Sequence, residues 1–431
     1  MLNTEDILRH IDLDYTQPVR DPLWGNIMLS TGMKKILSSG ILQKLNKIKQ
    51  LGPSYHVYPG ATHTRLSHSI GVFHIAKRIL RQLLMSDNCP QVSLEGAVSF
   101  FCASLLHDMG HFPYAHSLKE LPLIDHEVLT GQFIQSEPLY SAIKEYLGID
   151  PCFVASIVDK TMKDNITDEI LFFRNLLSGV LDPDKLDYLN RDAYFCGVPY
   201  GLQDIDFIIS SILPHEKTGI AVIESGLPAV ENILFSKYLM YRAVYWHKTV
   251  RSATAMVKKA LYLGMKDGRI KPEELYGLDD ETLFMNYRNS SYSPFSLLKK
   301  VSERKIFKTV IEIPFDIENS AHHCLTFLDK RLIKENEILT LLRKNHYPSA
   351  DDESVIIDIP EQISFEVSLP VMIENRTMDF TASGSVFNKP VIKGFTGVLR
   401  KIRVFMQEEA AETVSSSSAR SSISEIISSG C

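Results

Sequence analysis

The chain has 431 residues, 45% of them hydrophobic and 23% charged, ordinary usage for a globular protein able to bury a large core. Lys and Arg number 46 against 52 Asp and Glu, a formal net charge of −6, which gives no electrostatic reason to expect nucleic acid or a membrane surface as a partner. The first 25 residues carry early acids and no continuous apolar run, so they do not read as a signal peptide. No stretch reaches the ~18 apolar residues of a spanning helix; Ala97 to Leu106 comes nearest. Six cysteines are scattered without paired spacing and read as reduced thiols, which makes the cytoplasm the simplest address.

In chain order, residues 68–85 place Phe73, Ala76, Ile79, Leu80, Leu83 and Leu84 on one helical face. Residues 93–107 repeat the pattern, with Ser93 as N-cap and Gly110 just beyond the end. Further helices are expected near 126–147, 150–164, 166–179, 182–195, 204–212 and 228–263, with a short hairpin opening at 217–223. After about residue 305 the segments KTVIEIPFDI, SVIIDIP, ISFEVSLPVMI and FTGVLRKIRVFM are β-branched or alternating and bounded by Pro, Gly and Asn. The expected fold is mainly α. A helical core covers 1–305 and a smaller α+β unit 306–407. The Ser-rich tail, 408–431, has too little apolar surface to offset chain entropy and is expected to be disordered.

Histidine is the compositional oddity. Eight of the 14 fall between His56 and His126. Within that window, His107 and Asp108 are adjacent where an apolar helix ends. Imidazole and carboxylate together suit a borderline or hard divalent ion. The earlier helix supplies His68, and the later segment DPDKLDY supplies Asp184. Four such ligands leave room for water and a phosphate oxygen, and a metal so placed acidifies water or polarises a P–O bond. Taken singly, a His-Asp pair is more often a helix-terminal hydrogen bond, and His68 and Asp184 would be helix-start residues. The conjunction of these four with His111, His116 and His126 carries the reading.

The segments KIKQLGPSYHVYPGATHTRLSHSIGV (47–72), HDMGHFPYAHS (107–117), DHE (125–127), DPDKLDYLNRDAYFCGV (182–198) and YLMYRAVYWHKTV (238–250) resemble the HD-domain phosphohydrolase superfamily. Within it they are most similar to the deoxynucleoside triphosphate triphosphohydrolases, over roughly residues 20 to 260. The resemblance implies an HD-domain helical core with His68, His107, Asp108 and Asp184 as ligands of one divalent ion (Mn, Fe, Ni, Mg or Zn). It implies phosphate contacts from Arg65 and Lys185, and contacts around the phosphates and sugar from Tyr188 and Asp192. Gln50 and Leu51 match positions beside the deoxyribose, and Lys237, Tyr241 and Tyr245 a substrate-facing helix surface. His111, His116 and His126 match a histidine group near the scissile bond, with His116 as acid–base or nucleophile. Arg65 and Lys185 would equally serve as salt-bridge partners of Asp192 or Asp187, and His63 and His74 read as structural.

Related enzymes often carry an acid three residues after the counterpart of His116. Here Lys119 stands there, and either Glu120 replaces the acid on a continuing helix or Glu120 is an exposed helix residue and the relay runs through His126 alone. Asp21 matches a position that reads a regulatory guanine in some relatives, but the accompanying arginine is Asn46. His247 and Lys248 match a position linked to a regulatory nucleotide, or an exposed helix face. The activity implied is metal-dependent hydrolysis of a (deoxy)nucleoside triphosphate to nucleoside and triphosphate. The alternatives are a nucleoside monophosphate or other phosphate ester as substrate, or a catalytically silent nucleotide-binding regulator. The partners implied are a nucleotide substrate, a regulatory nucleotide and further copies of the chain in a homo-oligomer.

Overall fold

A computed structural model describes residues 4–430 apart from 346, 364, 366, 375, 416 and 417. Two helices set the frame: α1 (Arg65–Leu84) and α2 (Leu94–Leu106). The Thr64 side chain accepts from the Ser67 amide at the start of α1, and Ser93 accepts from Gly96 at the start of α2, the latter cap as expected. Phe73, Ala76, Ile79, Leu80 and Leu83 of α1 and Phe100, Phe101, Cys102 and Leu105 of α2 are all buried. Both helices are covered nearly all round and form the centre of the main core rather than its rim.

Around them stand α3 (His126–Ile134), α4 (Pro183–Cys196), α5 (Leu227–Met240) and α6 (Lys248–Lys266). Helix α4 opens with Asp182 accepting from the Lys185 amide and Pro183 in its first turn, and closes at Gly197 in the left-handed region, φ 66°. Between α5 and α6 lies a single π turn, Tyr241–Tyr245. Strands β1 (Tyr15–Asp21) and β2 (Gly25–Ser30) form an antiparallel hairpin against this core.

The later part is α+β, as expected. β4 (Gly219–Ile223) falls on the expected strand but closes the hairpin, which β3 (Ile212–His215) opens; β7 (Pro370–Ile373) joins β4 in parallel, followed by β8 (Arg376–Asp379). A second, antiparallel sheet has the order β5 (Lys308–Pro314), β9 (Lys401–Met406), β6 (Val355–Asp358). Phe365, Leu369, Val371, Phe380 and Phe387 pack into the same core as α1 and α2, so the chain returns to the helical core after leaving it.

Two sequence expectations fail here. Residues 408–428 are not a disordered tail: they hold α8 (Glu408–Ser415) and α9 (Ala419–Ser428), which pack on the second sheet beside α7 (Leu328–Asn345). The serines hide a stripe of small and branched apolar residues, Ala410, Ala411 and Val414 and then Ala419, Ile423 and Ile427, all buried. Nor are all cysteines reduced. Cys89, Cys102, Cys152 and Cys196 are free, Cys324 is disulfide-bonded, and Cys431 lies outside the described residues. Among the described residues no helix is long and apolar enough to cross a membrane.

Candidate active site

His68 stands in the first turn of α1, His107 and Asp108 at the end of α2, and Asp184 in the first turn of α4. The folding of three separate helix ends toward one point brings these residues together. His68 Nε2 lies 2.9 Å from Asp184 Oδ1, and its Nδ1 lies 2.8 Å from Asp187 Oδ2. His107 Nδ1 donates to the Ser104 carbonyl at 2.9 Å. That leaves its Nε2 buried without a hydrogen-bond partner, 3.5 Å from Asp108 Oδ1 and 3.8 Å from Asp184 Oδ1. The ligand atoms of His68, His107 and Asp184 all fall within 4.8 Å of one another, a spacing that can hold a metal ion. Arg65 donates to the second Asp108 oxygen at 2.7 Å. Burial works against charge on Asp108, but His111, Arg65 and His107 outweigh it and hold its carboxyl well below the usual range. Burial likewise opposes charge on His68, yet Asp184 and Asp187 raise it to about 10.

A second group adjoins the first. The rings of His111 and His126 stack with centroids 4.1 Å apart, and His116 meets them edge-on at 4.5 and 5.0 Å. Their ring nitrogens also lie close enough together to hold a metal ion. His111 Nε2 is 3.0 Å from Asp108 Oδ1, which links the two groups. Burial lowers the basicity of all three imidazoles, His126 to about 4. The His116 side chain opens to the cleft while its surroundings enclose it, and the nearby charges of His111, Arg65 and His126 push in the same direction as burial.

Glu120 does not serve His116. After His116 the chain makes one 3₁₀ turn, Ala115–Leu118, and leaves helical geometry, so the rule for i and i+4 neighbours does not apply. The Glu120 carboxylate turns instead to Lys258 at 2.5 Å and Arg331 at 2.5 and 3.2 Å, and among the described residues it has no ion pair with His116. Lys119 faces the cleft.

The cleft, about 590 Å³, is lined by Gln50, Leu51, Arg65, Lys185, Tyr188, Asp192, Lys237, Tyr241 and Tyr245, every substrate position expected from the sequence. The route differs for the last three. The wider π turn sets the register of Tyr241 and Tyr245, whose rings meet edge-on at 5.0 Å, so a regular i, i+4, i+8 face is not what presents them. Lys185 pairs with Asp182 at 2.6 Å. Asp192 accepts from Tyr245 Oη at 2.7 Å and meets His63 Nε2 at 2.8 Å, so His63 supports the cleft wall. His247 Nδ1 accepts from the Thr249 amide and caps α6. The Asp21 carboxylate is already bonded to the Leu23 and Trp24 amides and to Arg191.

Sequence reasoning missed Asp187, Arg191 and Trp24, and it missed Arg251 and Glu361 in the cleft wall. For Asp187 a signal existed: it is one turn beyond Asp184 on the same helix. Arg191 lies one turn beyond Asp187 on that helix, whereas Trp24, Arg251 and Glu361 depend on contacts from distant segments.

The family described as the HD-associated region matches residues 204–424, just over half of the chain, from the strands before α5 through most of α9. An uncharacterized protein of Methanocaldococcus jannaschii, MJ1154, is 31% identical over 319 residues, which are 73% of this chain and 64% of that protein. The deoxynucleoside triphosphate triphosphohydrolase SAMHD1 of Homo sapiens is 25% identical over 354 residues, 71% of this chain and 56% of that protein. The chain thus spans less than two thirds of the length of either relative. The crystal structure of a hypothetical protein from Aquifex aeolicus superposes with a TM-score of 0.71 at 26% identity, covering 94% of this chain and 99% of that one. With the HD-associated region matched over more than half of its length, the chain belongs to the HD-domain family, and it resembles the deoxynucleoside triphosphate triphosphohydrolases.

Proposed function

We propose that the protein hydrolyses (deoxy)nucleoside triphosphates to nucleoside and triphosphate, using one divalent ion held by His68, His107, Asp108 and Asp184. The observation that carries this reading is a single cleft lined by those four residues, by His116 and His126, and by the cations Arg65, Lys185 and Lys237. The donor set fits a metal on the structure's own terms. His107 Nε2 is buried with no hydrogen-bond partner, and its other nitrogen is committed to a carbonyl. Two imidazoles and two carboxylates suit a borderline divalent ion. When bound, that ion supplies Lewis acidity at a P–O bond or an acidified water.

The protein's own side chains do the rest. Arg65, Lys185 and Lys237 bring positive charge to a triphosphate, whose several negative charges call for more than one cation. Tyr245 and His63 hold Asp192 in place to meet the sugar. His116, which lines the cleft beside His111 and His126, is the residue we give the role of accepting a proton or attacking phosphorus. Overall, water adds hydroxyl to the α-phosphorus and a proton to the leaving O5′, so the P–O5′ bond breaks and free triphosphate is released. The human relative named as a deoxynucleoside triphosphate triphosphohydrolase supports the same reading.

The test is product identification across a panel of ribo- and deoxynucleoside triphosphates, monophosphates and simple phosphate esters, with metal content measured on the same preparation. Nucleoside and free triphosphate in equal amounts are expected. Release of pyrophosphate or orthophosphate, or turnover of monophosphates alone, would overturn it.

A further inference from the structure

We infer that the tip of the β1–β2 hairpin, Asp21 to Trp24, is a positioning device for His68, acting through Asp187 and Arg191; the inference rests on the metal reading above. An imidazole binds a metal through one nitrogen, and the partner of the other decides which nitrogen carries the proton and how the ring is aimed. In His68 that other nitrogen is Nδ1, 2.8 Å from Asp187 Oδ2, with both side chains fully enclosed at 1% and 0% exposure. The Asp187 bond holds a proton on Nδ1, so an ion that replaces the Nε2 proton shared with Asp184 meets the ring already in that tautomer and aim.

Asp187 is in turn fixed from two sides. Arg191 Nε reaches Oδ2 at 2.7 Å and Nη2 reaches Oδ1 at 2.9 Å, while the Trp24 indole donates to Oδ1 at 2.5 Å. With the donor from His68, both oxygens of this carboxylate are fully used. Arg191 Nη1 extends to Asp21 Oδ2 at 2.8 Å, and Asp21 Oδ1 accepts from the Leu23 and Trp24 amides at 2.8 and 2.9 Å. The hairpin turn therefore grips Asp187 directly through its indole and indirectly through Arg191. Taken together, Asp21, Asp187 and Arg191 carry one net negative charge behind His68, which favours positive charge on the cleft side of the ring.

An independent observation shows that α1 is shaped for this contact. Gly71, one turn after His68, has no room for a side chain: a Cβ there would overlap Asp187 Oδ1 and lie 2.5 Å from Arg191 Nη2. The glycine lets the carboxylate and guanidinium press against the helix that carries the ligand.

The experiment measures Co²⁺ binding and the visible absorption of the Co²⁺ form in the full chain, for the wild type, Asp187→Asn and Trp24→Phe. Co²⁺ absorption reports the geometry around the ion, which a purely structural role would leave unchanged. Asp187→Asn should weaken binding about 10- to 100-fold. Trp24→Phe, which keeps an aromatic ring beside His74, should weaken it less, and both should shift the spectrum. If Asp187→Asn does not fold, Trp24→Phe alone decides. Wild-type affinity and spectrum in every folded variant would overturn the inference while leaving the metal reading intact. Absence of Co²⁺ binding by the wild type would overturn the metal reading and this inference with it.

Discussion

Replacing Glu120 by Gln should lower stability and leave the pH dependence of turnover in place. The Glu120 side chain is 19% exposed and bonds Lys258 and Arg331, which are 3% and 4% exposed. Burial disfavours its charge, yet the two cations outweigh burial and hold its carboxyl below the ordinary value. Removing one partner of a buried ion pair costs roughly 3–5 kcal/mol, because the remaining charge has no compensation. The lower end applies here. Gln still accepts hydrogen bonds, Lys258 retains Glu361 at 3.7 Å, and Arg331 also donates to the carbonyls of Leu325 and Thr326. Unfolding entropy of about 2.1 cal/mol/K per residue, over 431 residues, gives roughly 0.9 kcal/mol per degree. About 3 kcal/mol then lowers Tm by about 3 °C if the chain unfolds in one transition. Calorimetry and denaturant melts read the stability, and initial rates from pH 5.5 to 9 read the relay. An unchanged melt with a displaced pH–rate profile would refute the reasoning and return Glu120 to His116.

Other outcomes follow from the same geometry. His107→Ala or Asp108→Ala should abolish both metal content, by elemental analysis, and hydrolysis; full metal occupancy in a folded Asp108→Ala protein would contradict the ligand assignment. Lys185→Ala and Tyr188→Phe should keep the metal yet lose about 1.5–3 kcal/mol of transition-state binding, more than tenfold in kcat/KM for triphosphates; wild-type kinetics in both would remove the polyphosphate reading. Burial holds His126 at about 4, below an ordinary histidine near 6.5, so the unfolded chain binds more protons between those values. Its contribution to stability is therefore complete above about pH 6.5 and lost as pH falls toward 4. In His126→Gln the slope of stability against pH in this window should fall by up to about 1.4 kcal/mol per unit, and equal slopes in denaturant melts would refute it. Truncation after Gln407 uncovers the sites of Val414, Ile423 and Ile427. At roughly 1.5–3 kcal/mol for each buried side chain, the shortened chain should melt markedly lower, and an unchanged melt would show that α8 and α9 contribute nothing.

The helices that carry the site were legible because their signals are local. Apolar residues recur at helical spacing along 68–84 and 94–106, and Ser93 and Asp182 cap the helices whose ends hold His107 and Asp184. A residue type that appears where a helix stops, such as His107 beside Asp108, projects from an end that cannot satisfy its own backbone, and such ends point into clefts. The same local logic failed wherever its premise did. Glu120 was read on a helix that stops after one 3₁₀ turn, and Tyr241 and Tyr245 on a regular helix that is in fact a π turn.

What stayed hidden depends on partners far along the chain. The spacing from Asp184 marks Asp187, but nothing local marks Trp24, which donates to it from 163 residues away. The tail follows the same rule at the level of an element. In isolation α8 and α9 are short, and helices below about 12 residues are marginal in water whatever their propensity. They exist because Ala410, Val414, Ile423 and Ile427 meet the apolar face of β5, β6 and β9, with Ile402, Val404 and Met406 beneath them. Composition measures what a segment could bury alone, whereas folding depends on what waits to be covered. The apolar face of this sheet takes its cover from α7 together with the serine-rich stretch, whose Ala410, Val414, Ile423 and Ile427 share one buried side.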